Sequence, residues 1–240
     1  MKILLTMKYW WDGKENSTRL RNVVFCWDKL KKLNDFLNKH DLDTTVKLYD
    51  FSPKKMIEDS IHIPYPLGEY KKAEKTNKII KENNDFDYIM MFDSDAFFLD
   101  LDLVNIVNII KNLKPYEVYV FDLAKLNEMD TNKITEKNID EKNIFNMDFS
   151  YAWVGSKTKK PLQGRLSGLG GVYLCDLNII KEVGGFNEKY VGWGGEDGEI
   201  MEKIMQNKKS YKVTHVRDFA PFHLSHFRDL NNKNYSERFK

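Results

Sequence analysis

Three clusters in this sequence bring together side chains of the types that carry chemistry. The first is Asp93-Ser94-Asp95, which follows the apolar run Tyr88 to Phe92. Two carboxylates one residue apart at the end of a buried strand can converge on a hard divalent cation. Mg2+ and Mn2+ prefer oxygen ligands and share them with substrate phosphates. The second is the segment Val191 to Glu199, VGWGGEDGE, with four glycines in nine positions. Glycine at that density marks backbone that needs unusual dihedral angles or close approach. The loop runs straight into two adjacent acids, Glu196 and Asp197. The third is the pair His223 and His226 in FHLSH. Three residues apart, they can face one point on a turn or loop, and imidazole is a common ligand for Mn2+ and zinc.

Each cluster also has a plain structural reading. Asp93 and Asp95 could form a turn or cap the next element. Glu196 and Asp197 could be first-turn acids that favour a helix N-terminus. Trp193 could pack in the core, Arg19 and Arg21 could be solvated charges at a helix start, and a lone histidine is usually a satisfied polar group.

The elements that must position these groups follow from hydrophobic periodicity. Lys2 to Thr6 reads as a buried strand and Arg19 to Leu37 as an amphipathic helix, with Val23, Val24, Trp27, Leu30, Leu33 and Leu37 at three- and four-residue spacing. Val46 to Phe51 reads as a second strand, residues 61 to 68 (IHIPYPLG) as a loop, and the next stretch as a helix with Ala73, Thr76, Ile79 and Ile80 inward. The strand before Asp93, a helix over Leu103 to Leu113 and a strand over Glu117 to Leu123 continue the alternation. Such alternation points to a mostly parallel sheet covered by helices, with ligands outside the carboxyl ends of the strands. Residues 125 to 146 are polar and without clear period, which reads as a surface excursion. Later come a strand over VYLCD, a short helix Asn178 to Glu182, a helix from Glu199 to Gln206, a strand over Tyr211 to Val216 and an irregular basic end.

Composition narrows the function. The chain has 240 residues, 42% hydrophobic, and a formal net charge of +2. That length fits one large domain or two small ones, and near-neutral charge gives no reason to expect a nucleic-acid partner. Cys26 and Cys175 are far apart and outside any C-x-x-C pair, so two reduced thiols are expected rather than a zinc ribbon or redox motif. No stretch approaches the roughly 18 apolar residues of a membrane span. The opening MKILLTMKYWWDGKEN lacks the pattern of a signal peptide. The expectation is a cytoplasmic protein, peripheral to a membrane at most.

The segment 168 to 199 resembles the catalytic region of GT-A-fold glycosyltransferases, in particular the β-1,4-galactosyltransferases and the related chondroitin-synthase type. The match lies at Gly170, Gly171 and Val172, at Gly185, Phe186 and Asn187, and from Gly192 to Asp197. The order D-x-D, G-G-V, G-W-G-G-E-D and late histidine is the family's order. His226 takes the place of the family's ligating histidine, and His223 that of its methionine. Weaker similarity covers Arg19-Leu20-Arg21 and the Lys72-Ala73…Asn77 helix, so that most of the chain is spanned, with residues 101 to 165 poorly matched.

This resemblance implies a GT-A (Rossmann-like) α/β fold with a mixed, mostly parallel sheet flanked by helices in a single domain. Residues 1–100 would form a nucleotide-sugar-binding half that ends in the D-x-D, and 101–240 the acceptor-binding and catalytic half. It implies a metal-dependent inverting transferase that moves Gal, GalNAc or GlcNAc from a UDP-sugar to a glycan or glycoconjugate hydroxyl. Asp197 would be the base and Glu196 the acceptor orienter. Arg19, Arg21, Lys72, Asn77, Asp93, Gly168, Gly170, Gly171 and Trp193 would line the donor site. Trp193, Glu196, Gly198 and Glu199 would meet the acceptor. Asp93, Asp95, His223 and His226 would hold Mn2+ or Mg2+. Two departures matter. Gly198 stands where the family carries another acid, which argues against simply assuming a GlcNAc acceptor. Gly168 replaces an aromatic that lines the donor-sugar pocket, which leaves room for an N-acetyl group.

Three other readings compete with this one. A HAD-type phosphohydrolase also uses D-x-D after an apolar strand, but its motif lies near the N-terminus with Thr or Val where Phe97 stands here. A non-catalytic carbohydrate-binding relative would not need Asp93, Asp95, Asp197 and His226 together. Nucleotidyl transfer would call for a Gly-rich phosphate loop near the N-terminus, and none is present.

Overall fold

Strand β1 (Lys2–Tyr9) sets the pattern of the sheet. Successive side chains of a strand point to opposite faces. Ile3, Leu5, Met7 and Tyr9 enter one core cluster and Leu4 enters the other. The strand runs past Thr6 to Tyr9, beyond the sequence expectation, and carries Lys8 into the interior. The computed structural model describes residues 1–11, 18–67, 71–126, 128–137, 152–154, 170–192, 195–207, 209, 211–216 and 218–225.

Helix α1 (Thr18–Lys39) buries Val23, Cys26, Trp27, Leu30, Leu33 and Leu37 against the first face. β2 (Asp43–Asp50) follows, and then a two-residue strand β3 (Ile61–His62) inside the segment expected to be loop. β3 pairs at the sheet edge through Tyr49↔Ile61, and Pro64 lies just beyond it, as suits a short edge strand. Helix α2 (Lys72–Glu82) covers the second face, and β4 (Tyr88–Asp93) delivers the D-x-D. After β5 (Ala96–Phe97) and a short 3-10 turn come α3 (Leu103–Lys111), β6 (Glu117–Phe121) and β7 (Leu123–Lys125).

The polar stretch expected to be an excursion contains helix α4 (Glu128–Lys137). It has one large buried apolar side chain, Ile134, beside buried Asp130 and Thr131. Side-chain hydrogen bonds hold it more than an apolar stripe does, so its period is invisible to hydropathy. β8 (Ala152–Val154), β9 (Val172–Asp176) and helices α5 (Leu177–Glu182) and α6 (Glu196–Gln206) lead to β10 (Lys212–Val216) and β11 (Phe222–His223). α6 starts three residues earlier than expected, so Glu196 and Asp197 belong to its first turn.

The main sheet has the order β10-β6-β9-β4-β1-β2-β3. β9 is antiparallel to both β4 and β6, and the other pairs are parallel. A strand from the second half of the sequence therefore sits in the middle of the sheet. A smaller sheet, β5-β11-β7-β8, stands beside the D-x-D loop. Cys26 and Cys175 are free and buried. No described helix is long and apolar enough to cross a membrane.

The turn into β9 requires glycine. Gly171 has φ +84°, and a Cβ there would lie 2.5 Å from Leu123 Cδ1. Its carbonyl accepts the Asp93 N–H at 2.8 Å, so this turn also fixes the D-x-D backbone. Gly171→Ala is expected to destabilise the fold by about 1–2 kcal/mol through the left-handed backbone alone. Urea denaturation checks this, and an unchanged midpoint would contradict it.

Candidate active site

At the C-terminal end of β1 and β4 the register pairs Lys8 with Asp93. The two-residue period puts both on the face covered by α2 and α6. Over them, Lys72 opens α2 and extends its ammonium into a group of acids. Its Nζ lies 2.8 Å from Asp197 Oδ2, 3.5 Å from Glu196 Oε1 and 3.8 Å from Asp93 Oδ1. The Lys72 side chain is 7% exposed and that of Glu196 1%, so this is an interior ion cluster rather than a surface salt bridge. Three carboxylates from the end of β4 and the start of α6 thus converge on one cation of α2.

Close approach of the backbone makes this possible. A Cβ on Gly170 would stand 3.0 Å from Asp197 Oδ2, so the chain passes the carboxylate at a distance that suits glycine. The isolated bridge Lys71↔Gly192 draws the Gly-rich loop to the start of α2. Asn77, one turn further along α2, accepts the Phe186 N–H at 2.9 Å and donates to the Phe186 carbonyl at 2.8 Å and to Glu188 at 2.8 Å. α2 and the residue before it therefore fasten Phe186, Glu188, Gly192 and Asp197.

Burial pushes the Asp197 carboxyl up to about 7; the Lys72 ammonium opposes that rise, while Glu196 and Asp93 reinforce it. Lys8 is pushed down to about 8 by burial and by the charge of Lys72, against the pull of Asp93, Asp197 and Glu196. Lys8 Nζ finds Met91 Sδ at 3.2 Å. Lys8 is a site residue that sequence reasoning missed. Its signal was a lysine continuing the apolar alternation of KILLTMKY. Several polar atoms here are buried with no hydrogen-bond partner among the described residues: both Glu196 oxygens, Asp197 Oδ1 and the Tyr173 hydroxyl. Such groups are costly to leave unmatched, and they suit a ligand rich in hydroxyls.

A second cluster adjoins the first. One ligand atom each of Asp93, Asp95 and His223 lies within 4.8 Å of the others, and His223 Nε2 is 3.2 Å from Asp95 Oδ1. Two carboxylates and an imidazole form a donor set that suits Mn2+. Backbone bonds hold it in place: the Leu224 N–H donates to the Asp95 carbonyl at 2.8 Å, and the Leu126 N–H to the His223 carbonyl at 2.9 Å.

The remaining expected site residues fall as follows. Arg19 and Arg21 lie in the first turn of α1, where Arg21 Nη2 donates to Asn132 Oδ1 of α4 at 2.6 Å. Glu199 accepts from Asn187 at 3.0 Å and pairs with Lys203 at 3.1 Å. A Cβ on Gly198 would meet nothing within 4 Å, so open space adjoins it. Gly168, Trp193 and His226 lie outside the described residues.

Comparison with known proteins fits this geometry. Residues 156–227 match a family model described as the N-terminal domain of galactosyltransferase. No curated protein sequence matches the chain. Among solved structures, the catalytic domain of Drosophila β1,4-galactosyltransferase 7 in complex with xylobiose is similar with a TM-score of 0.56 at 14% identity, covering 98% of this chain and 79% of that one. GalNAc-T7 with UDP, GalNAc and Mn2+ gives 0.53 at 12% identity, covering 95% and 44%. A mannosyltransferase from Pyrobaculum calidifontis with GDP-Man and Mn2+ gives 0.52 at 12% identity, covering 99% and 60%. The fold is the GT-A fold, and the family match falls on the segment that supplies Gly170, Glu196, Asp197 and His223. Fold and family match agree on a glycosyltransferase.

The raised Asp197 carboxyl has a measurable consequence. Its folded pKa lies above its unfolded value, so the native state holds the proton more tightly. This group's contribution to stability is present below about pH 4 and is lost as pH rises through about 7. The stability of Asp197→Asn relative to the parent should therefore improve between pH 4 and 7. Urea melts at several pH values test this, and a constant difference would refute the assignment.

Proposed function

We propose that this GT-A-fold glycosyltransferase is metal-dependent and inverting, and that it moves Gal, GalNAc or GlcNAc from a UDP-sugar to a hydroxyl of a glycan or glycoconjugate. The observation that carries the reading is the Asp197 carboxylate. It is half-buried, with 19% of its side chain exposed, raised to about 7 and held by Lys72 in one cluster with Asp93 of the D-x-D. A base tuned close to neutral pH takes a hydroxyl proton efficiently while still being available in its ionised form.

In the reaction, the acceptor oxygen forms a bond to the anomeric carbon as the bond from that carbon to the diphosphate oxygen breaks. The electron pair of the broken bond leaves on UDP, and the acceptor's proton passes to Asp197. Attack from the face opposite the diphosphate inverts the anomeric configuration. Lys72 orients Asp197 and presents a cation to the donor side. Glu196, deeper in the cluster, and the Tyr173 hydroxyl offer hydrogen-bonding atoms to sugar hydroxyls. Asp93, Asp95 and His223, with His226 by resemblance, would hold Mn2+ or Mg2+. Such an ion supplies positive charge against the growing charge of the leaving diphosphate. Residues 1–100 then supply chiefly the donor side and 101–240 the base and acceptor side.

Neighbouring structures support the substrate class. A variant of the fly enzyme was solved with manganese, UDP-Gal and xylobiose, and GalNAc-T7 with UDP and Mn2+. The open space at Gly198 is where an acceptor differing from the family's usual one would gain room.

Asp197→Asn should abolish transfer from UDP-sugars yet keep UDP and Mn2+ binding near parental levels by calorimetry, whereas Asp95→Ala should lose metal-dependent UDP binding. Full activity in Asp197→Asn would end the base assignment. With the parent enzyme, kcat/KM should rise with pH through about 7. Lys72→Met removes the charge that lowers the Asp197 pKa, so this limb should move up by about one unit or more, and Lys72→Arg should largely restore it. A limb that stays put in Lys72→Met would show that Lys72 does not tune the base.

A further inference from the structure

The strand that carries His223 is held at its far end by two side chains whose role nothing above explains. Within β11, His223 pairs with Ala96 on one side and Lys125 on the other. At Ser225 the ladder has ended, and helices supply the partners instead. The Ser225 N–H donates to Thr131 Oγ1 of α4 at 2.7 Å. The Ser225 carbonyl accepts from Asn22 Nδ2 of α1 at 3.0 Å. Asn22 and Thr131 are both fully buried. One peptide segment, two residues after a candidate ligand, is therefore gripped on its donor and its acceptor by side chains from two different helices.

Each half of this clasp is braced. The Thr131 carbonyl accepts the Thr135 hydroxyl at 2.9 Å, and the neighbouring Asn132 holds Arg21 of α1 at 2.6 Å. α4 and α1 thus hold each other as well as Ser225. A buried polar side chain needs a partner in any protein, so a purely structural clasp would affect stability alone. The position argues for more. The clasped residue lies next to Leu224, whose N–H is bonded to the Asp95 carbonyl, and one further from His223, whose Nε2 faces the Asp95 carboxylate. Any swing of the chain at Ser225 is passed by rigid backbone to the two groups that would share a cation.

We propose that Asn22 and Thr131 are positioning residues for the metal site, setting its cation affinity by fixing the backbone that carries His223 relative to Asp95. The inference rests on the metal reading of Asp93, Asp95 and His223. Partners that orient metal ligands from behind typically govern affinity by about 10–100-fold.

The test is a Mn2+ titration of the full chain without nucleotide, followed by the loss of the free-ion electron paramagnetic resonance signal. Thermal melts of every variant run alongside. Thr131→Val and Asn22→Asp should each weaken Mn2+ binding about 10-fold or more, while Thr131→Ser, which keeps the hydroxyl, should bind like the parent. The inference is overturned if folded Thr131→Val or Asn22→Asp binds as tightly as the parent, or if Thr131→Ser is as weak as Thr131→Val. Should Thr131→Val fail to fold, Asn22→Asp and Thr131→Ser still decide the matter. Asp95→Ala separates the two levels of the argument. If the parent binds no Mn2+, or Asp95→Ala binds it unchanged, the metal reading fails and takes this inference with it. If Asp95→Ala loses Mn2+ while the clasp variants keep it, this inference alone fails.

Discussion

The buried ammonium of Lys72 among Asp93, Glu196 and Asp197 is the constraint around which the site is organised. Charges removed from water are tolerated only when they are paired, and here a single cation faces three acids. Neutrality is approached from two sides. Lys8 brings a second positive charge beneath the cluster, and Asp197 takes up a proton more readily than an exposed carboxylate. The same electrostatics that permit burial therefore yield a carboxylate poised near neutral pH. One group of side chains thus sets both the charge balance of the interior and the proton affinity of Asp197.

That cluster also explains how distant parts of the chain act together. α2 belongs to the first half of the sequence, yet it fastens the second half through Asn77 to Phe186, Lys71 to Gly192 and Lys72 to Asp197. β9, from the second half, lies between β4 and β6 and so stands beside the D-x-D strand. Close approach at Gly170 and the left-handed turn at Gly171 let these parts meet without side chains in the way. The candidate catalytic acids come to the end of the sheet because two helices from opposite halves of the chain, α2 and α6, share one ion cluster with the end of β4. On the other side, the small sheet and the Asn22–Ser225–Thr131 clasp give the candidate ligand strand its own frame.

Much of this was legible beforehand, for identifiable reasons. Helix α1 has an apolar stripe, and β4 is a short apolar run that ends in acids. Both write their burial into hydropathy. The Gly-rich loop ending in Glu196-Asp197 was legible because few backbones need so many glycines. Helix α4 was not, since Thr131, Asn132 and Asp130 hold it by polar contacts that carry no apolar period. Asn77 looked like a donor contact from its place in a motif, and in the structure it clamps the Phe186 backbone. Lys8 escaped notice because a lysine at the end of a strand ordinarily reaches solvent, and only the helix packed above it closes that route.

The residues alone determined which atoms can do chemistry here: carboxylates at 93, 95, 196 and 197, an imidazole at 223, and glycines that admit a close backbone. They also determined the layered α/β architecture, because hydrophobic period is a local property of the chain. Tertiary structure decided which of those groups share a charge. Lys72 and Asp197 are far apart in sequence, and their 2.8 Å contact arises because the first turns of α2 and α6 meet at the end of the sheet. Proton affinity depends on burial and on neighbouring charges, and both come from chain segments that meet only after folding. The motif could point to Asp197 as the candidate base, but the surroundings that raise its proton affinity belong to the fold.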